Sequence, residues 1–289
     1  GQFCSEEGNE TSPPPVVIVD GRSGTGKSRL VSRFMEELKE EARLGKTKPH
    51  CSMRGKFEEL QSADPFSAIL EALNDFCHSL LQQDDQETSS LPRIRTAIED
   101  SLGSEKASLI AVVPGLRDVI GHWEEEEEES RAVGRSSVIT TSSDVSTGNS
   151  WNRHRYLFKK LFRAICSKEC PLIMFLDDLQ WIDDASLDLL DSLVHDASLQ
   201  NFIFVGATRG LDKSRSLLSK FLKDAEHPLR KFVRIELLNL SMDEIGEFVG
   251  DVLQLDVSEC RPLTEIIYGK TRGNIFFSMQ TLEELQRRN

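Results

Sequence analysis

VVIVDGRSGTGKSRLV, residues 16–31, is the stretch whose reading decides the fold. Val16, Val17, Ile18 and Val19 form a β-branched run closed by Asp20, the composition of a buried parallel strand. GRSGTGKS at 21–28 then satisfies G-x-x-x-x-G-K-[ST], placed between an expected strand and an expected helix as that motif requires. Gly21, Gly24 and Gly26 let the backbone curl so that successive N–H groups point inward, and the helix opening at Lys27 adds its positive dipole end. Such a loop binds nucleotide phosphate through Gly21, Arg22, Ser23, Gly24, Thr25, Gly26, Lys27, Ser28 and Arg29. Lys27 is the expected counter-charge to the β- and γ-phosphates, and the Ser28 hydroxyl the expected Mg2+ ligand. In the following helix Leu30, Phe34 and Leu38 recur at i, i+4, i+8, Val31 and Met35 widen the apolar stripe, and Gly45 is placed to end it.

Outward from this unit, a second strand is expected near 49–55 and helices at about 66–82 and 91–102. Residues 121–150 break the pattern with six consecutive glutamates, Glu124 to Glu129, and a Ser/Thr/Gly tract too poor in apolar residues to pack. That segment, like 1–15, is expected to be disordered. Order resumes with a helix from about 151 to 168, the strand LIMFLD at 172–177, and a helix capped by Asp183 or Asp184 with Leu187, Leu190 and Val194 inside. Further strands fall at 201–206 and 232–238, and the pattern is helical from Ser241 onward. Strands alternating with helices predict a parallel sheet covered on both faces, with a small helical appendage after about residue 240.

Composition narrows the function. No apolar run approaches the roughly 20 residues that span a bilayer, and PLIMFL at 171–176 is the best on offer. The balance of 35 Lys plus Arg against 48 Asp plus Glu gives a net charge of −13, which disfavours broad contact with a phosphate backbone. Nucleic acid and membrane are therefore not expected partners. The opening GQFCSEEGNETSPPP has neither a basic start nor an apolar signal core, and with Gly1 rather than Met in first place the expectation is a piece of a longer polypeptide. Six scattered cysteines read as reduced thiols in a cytoplasmic setting; Cys166 and Cys170, one helical turn apart, are the sole close pair. The six histidines form no cluster, so neither a metal nor a catalytic histidine is expected.

A phosphate loop of this kind needs a metal-holding acid at the end of a neighbouring strand, and LIMFLDD at 172–178 supplies Asp177 and Asp178. Asp177 is the expected Mg2+ holder and Asp178 the expected group that orients or deprotonates the attacking water. Thr208 and Arg209 close a third apolar strand. Were that strand to lie between the other two, its carboxyl end would face the γ-phosphate and Arg209 could sense it; a solvated loop arginine accounts for the spacing equally well.

Several further blocks stand in sequence: GKFEEL at 55–60 with PFSAILEAL at 65–73, VVPGLRDVIG at 112–121, WNRHRYLFKKLFRAI at 151–165, FLDDLQWIDDASLDLL at 175–190, GATR at 206–209 and KTRGNIFF at 270–277. In this order they resemble the ATPase module of the signal-transduction ATPases with numerous domains (STAND), an origin-recognition-like AAA domain, closest to the modules of large hybrid kinase-type signalling proteins. The resemblance implies a P-loop NTPase, three-layer α/β/α with parallel sheet order 5-1-4-3-2, a core over 16–240 and a helical lid over 241–289, truncated at its end. It implies ATP and Mg2+ as ligands, Asp178, Lys27 and Arg209 as catalytic residues, and Ser28 and Asp177 at the metal. Partners so implied are ATP and ADP, other domains of the same polypeptide, and other copies of the chain in nucleotide-dependent self-association. The chain departs from the family in two places: no Gly-Arg-acid block precedes the first strand, and the lid motif Gly-Asn-Pro reads Gly273-Asn274-Ile275.

The function expected from these readings is a slow, Mg-dependent ATP-hydrolysing switch within a larger signalling protein. An AAA-type remodeler or DNA-associated ATPase would bring a basic winged-helix segment or an arginine finger acting in trans, and neither is visible in the sequence. A small-molecule kinase calls for an Arg-rich lid. A scaffold that binds nucleotide without hydrolysing it fits poorly with intact Lys27, Ser28, Asp177 and Asp178.

Overall fold

β1 (Val16–Gly21) is the second strand from one edge of a five-stranded sheet, and its β-branched residues are shielded on both faces. In a computed structural model of the chain the described residues are 13–59, 65–82, 90–121, 147–210, 216–225 and 231–288. Of the stretches expected to be disordered, 1–15 and 121–150, residues 1–12 and 122–146 lie outside the described residues. With β2 (Cys51–Lys56), β3 (Leu172–Asp177), β4 (Phe202–Thr208) and β5 (Phe232–Leu237), the order is β2-β3-β4-β1-β5, the 5-1-4-3-2 arrangement implied by the resemblance. Every pairing is parallel. β3 is buried along its whole length, as a central strand covered on both faces must be.

One face carries α1 (Lys27–Arg43), whose Val31 and Met35 pack on Val19, Ile173, Phe175, Val205 and Ala207. Here the structure corrects the stripe read from sequence. Leu30 and Phe34 are 42% and 48% exposed, whereas Val31 and Met35 are buried. The phase follows from Lys27: with that residue turned into the strand ends, positions four and eight further on, Val31 and Met35, must face the sheet. The other face carries the larger core, built by α2 (Ser67–Gln82), α3 (Leu91–Leu102), the short α4 (Lys106–Ile110) and α5 (Leu116–Ile120), α6 (Thr147–Ile165), α7 (Asp184–Val194) and α8 (Ser216–Ala225).

α6 begins at Thr147, inside the tract expected to be disordered, and ends at Ile165 rather than near 168. Its buried repeat Leu157, Phe158, Leu161, Phe162 and Ile165 is anchored in the core, and the helix runs on upstream of it. Asp183, not Asp184, caps α7 by accepting from Ser186 N at 2.8 Å. α4, α5 and α8 had no separate signal in the periodicity because each is short. α9 (Met242–Leu253), α10 (Val257–Thr271) and α11 (Ile275–Arg288) share a separate cluster of Ile245, Val249, Cys260, Ile267 and Leu282. Among the described residues no helix is long and apolar enough to cross a membrane.

The α1 phase is testable by urea unfolding. Met35→Ala should cost about 2–5 kcal/mol, the range for a fully buried large-to-small change, and Phe34→Ala about 1 kcal/mol or less. Equal losses would reinstate the Leu30–Phe34 face as the packed one.

Candidate functional site

Parallel register brings the carboxyl ends of the strands to one rim. Lys56 pairs with Asp177 across β2 and β3, and Asp20 with Thr208 across β1 and β4. β4 lies between β3 and β1, the condition on which the reading of Arg209 rested. Ligands of open α/β sheets bind at such a rim, where the strand order reverses.

The loop at 21–28 closes over this rim. Gly24 and Gly26 have φ of +79° and +94°, a left-handed conformation that costs side chains with a Cβ about 1–2 kcal/mol. Lys27, 6% exposed, turns back into the loop, and its Nζ donates to the carbonyls of Gly21 at 2.8 Å and Arg22 at 2.9 Å. Burial, and after it the charge of Arg209, lower the Lys27 pKa, while Asp177, Asp178 and Asp20 oppose that shift. An ammonium whose hydrogen bonds go to neutral carbonyls can turn them over to an anion in the loop.

Ser28 Oγ donates to Asp177 Oδ2 at 2.5 Å, joining the first turn of α1 to the end of β3. The other oxygen, Oδ1, accepts from Asp178 N at 2.8 Å. Asp178 itself sits at φ +55° and ψ +46°, left-handed for a residue with a Cβ, and opens a 3-10 turn over Leu179–Trp181. That turn fits because β4 has Gly206: a Cβ there would come within 2.5 Å of Leu179 Cδ1. The turn presents the Asp178 carboxylate to Arg209, whose Nε donates to Oδ1 at 3.0 Å and whose Nη2 donates to Oδ2 at 3.2 Å. Arg209 is thus paired with the acid while its side chain stays 42% exposed.

Sequence reasoning missed four members of this rim, Gln180, Lys56, Asp20 and Arg234. Gln180 donates from Nε2 to Asp178 Oδ1 at 2.8 Å and accepts from Arg209 N at 3.1 Å, tying the two together. Lys56 Nζ stands 3.7 Å from Asp178 Oδ2. Asp20 accepts from Gly210 N at 2.8 Å and from Arg234 Nη2 at 2.5 Å, pinning the β4 exit to β5. Gln180, Lys56 and Asp20 lay within quoted stretches, and Lys56 and Asp20 also sit at strand ends, which was the available signal. The Thr208 hydroxyl at this level is buried without a hydrogen-bond partner among the described residues.

The C-terminal helices meet the loop from outside. Asn274 Nδ2 donates to Ser23 O at 2.8 Å, Phe276 N donates to Gly24 O at 3.2 Å, and Asn274 Oδ1 caps α11 by accepting from Phe277 N at 3.3 Å. A Cβ on Gly24 would lie 2.5 Å from Asn274 Oδ1. The place of the family's usual proline is taken by Ile275, the first residue of α11.

Fold and rim together define a phosphate-loop nucleotide-binding domain of three-layer α/β/α type. Residues 5–205 match the AAA ATPase domain family, and the chain belongs to it. Over 179 residues it is 27% identical to hybrid signal transduction histidine kinase G of Dictyostelium discoideum, the alignment covering 62% of this chain and 4% of that protein. That relative comes from the class of signalling protein whose modules the sequence blocks resemble. Among solved structures, a Walker-type ATPase of Pyrococcus abyssi is 13% identical with a TM-score of 0.38, covering 96% of this chain and 72% of that one. A STAND protein with a tetratricopeptide repeat sensor from Pyrococcus horikoshii is 14% identical with a TM-score of 0.37, covering 91% and 26%.

Asn274→Ala removes both the α11 cap and the donor to Ser23. Loss of an N-cap costs about 1 kcal/mol, so amide exchange at residues 275–278 should quicken roughly fivefold. Unchanged exchange would mean that Asn274 does not hold α11 against the loop.

Proposed function

We propose that this domain binds Mg·ATP and hydrolyses it slowly to ADP and phosphate, acting as a nucleotide-dependent switch within a larger signalling polypeptide. The observation that carries the proposal is the convergence on one rim of Lys27, the Ser28–Asp177 pair and the Arg209–Asp178 pair. The donor set suits the ligands. Backbone N–H groups of residues 21–29 and the Lys27 ammonium match a polyphosphate, and a hydroxyl beside a carboxylate is the oxygen pair that a hard divalent cation takes. Ser28 and Asp177 would hold Mg2+, and the cation when bound would screen charge between β- and γ-oxygens.

In this reading Asp178 is the base for water. Asp178 is 6% exposed, and both oxygens of its carboxylate have partners among Arg209, Gln180 and Lys56. Arg209 leaving Asp178 for the γ-phosphate would free the base and add a cation at the developing charge. That exchange makes hydrolysis conditional, and a switch requires such a condition. The core spans 16–240, and 241–289 acts as a lid whose Asn274 reads the loop through Ser23. Output domains on the same polypeptide, association with other copies and a cytoplasmic setting go with this reading.

Single-turnover hydrolysis beside equilibrium binding separates the roles. The wild-type chain should turn over on the order of 10⁻⁴ to 10⁻² s⁻¹, the range of switch NTPases without a trans-acting arginine. Asp178→Asn should lose about 10²-fold or more of that rate while still binding ATP, because an amide cannot accept the proton. Asp177→Asn should also weaken Mg-dependent binding, a charged ligand having been lost. Wild-type turnover of many per second, or wild-type hydrolysis by Asp178→Asn, would refute the switch mechanism.

A further inference from the structure

β5 is an edge strand, and among the described residues it pairs on one side only, with β1. Val16 is in register with Phe232, and its N donates to Lys231 O at 2.9 Å. In a parallel ladder alternate residues serve one neighbour, so Lys231, Val233, Ile235 and Leu237 aim their peptide groups at β1. The N–H and C=O groups of Phe232, Arg234 and Glu236 therefore aim away from the sheet, a row that a further strand could join. The side chains here are unlike those of buried β3: Arg234 and Glu236 are exposed, Ile235 is 38% exposed, and Leu238, just past the strand, is 71% exposed. Arg234 gives Nη2 to Asp20, and a guanidinium has further donors to offer. Glu236 makes no ion pair among the described residues.

We propose that β5 pairs antiparallel with β5 of a second copy of this chain, joining the two sheets across a two-fold axis at Ile235. Antiparallel self-pairing sets outward residues against outward residues, so the axis must pass beside a single residue rather than between two. Charge chooses the residue. An axis at Arg234 would oppose it to the partner's Arg234, and an axis at Glu236 would oppose that acid to the partner's Glu236; like charges directly opposite are unfavourable. An axis at Val233 would leave Arg234 facing the apolar side chain of the partner's Phe232. With the axis at Ile235, Arg234 stands opposite the partner's Glu236, and symmetry makes the pair twice. Val233 then meets the partner's Leu237, Ile235 meets its own copy, and exposed Leu238 lies against the partner's Phe232. Charged residues on an edge ordinarily guard it against pairing. Here a base and an acid two places apart, with one apolar residue between them, complement themselves.

This seam supplies a surface for the association with other copies that goes with the proposed function. It uses no residue of the loop at 21–28 and requires no nucleotide, so its failure would leave the hydrolysis assay standing. Main-chain hydrogen bonds along the edge would give the affinity, and the crossed Arg234–Glu236 pairs the register.

The test is sedimentation velocity of the whole chain, reduced and without nucleotide, over a concentration series. The wild-type coefficient should rise toward that of a dimer, and Glu236→Lys, which sets a lysine against the partner's Arg234, should need at least about 10-fold more protein for the same dimer fraction. Register is read separately by crosslinking. Ile235→Cys, opposite its own copy at a Cα separation of about 4.5–5.5 Å, should form a covalent dimer on mild oxidation that dithiothreitol reverses. Val233→Cys, displaced from its own copy by about 13 Å along the strands, lies beyond the reach of a disulfide and should stay monomeric in denaturant. A wild-type chain that is monomeric at every concentration, undiminished association in Glu236→Lys, or crosslinking of Val233→Cys as readily as Ile235→Cys would each overturn the seam.

Discussion

The Ser28 hydroxyl meeting the Asp177 carboxylate, across a sequence separation of 149 residues, is the contact on which the rest of the rim depends. Asp177 is 8% exposed, and a carboxylate so placed must be paired or hydrogen-bonded. Both its oxygens are engaged, one by α1 and one by the next backbone N–H. The pairing is available because β4 is threaded between β1 and β3, so that two strands distant in sequence end at one level. It also holds α1 in register, which turns Val31 and Met35 onto the sheet and leaves Leu30 and Phe34 half in water.

Charge is distributed against the average of the chain. With a net charge of −13 the protein as a whole repels polyanions, yet the rim sets Lys27, Lys56, Arg209 and Arg234 against Asp20, Asp177 and Asp178. The local balance is cationic by one. Long-range steering of nucleotide is therefore weak, and attraction arises at short range within the loop, where burial strengthens it. Arg209 and Lys56 both lean on Asp178, so a γ-phosphate would compete with that acid for its own cations.

Much of this was legible in the sequence, and the part that was not has a physical cause. The loop motif, the paired acids and the alternation of strands and helices gave the parallel sheet and the residues on its rim. Local patterns carried no phase for α1, because Leu30, Val31, Phe34 and Met35 form a stripe wide enough to face either way; the lysine at its start chose. Gln180 escaped because an amide gains meaning only from the two groups it bridges, and these come from separate strands.

In the proposed function the loop at 21–28 is a phosphate site with Lys27 as its cation. Calorimetric titration of Mg·ATP into the wild-type chain and into Lys27→Ala measures this most directly. Loss of the ammonium should weaken binding at least 10-fold, about 1.4 kcal/mol, without unfolding the domain, because the apolar core is left intact. Equal affinities for the two proteins would contradict the account.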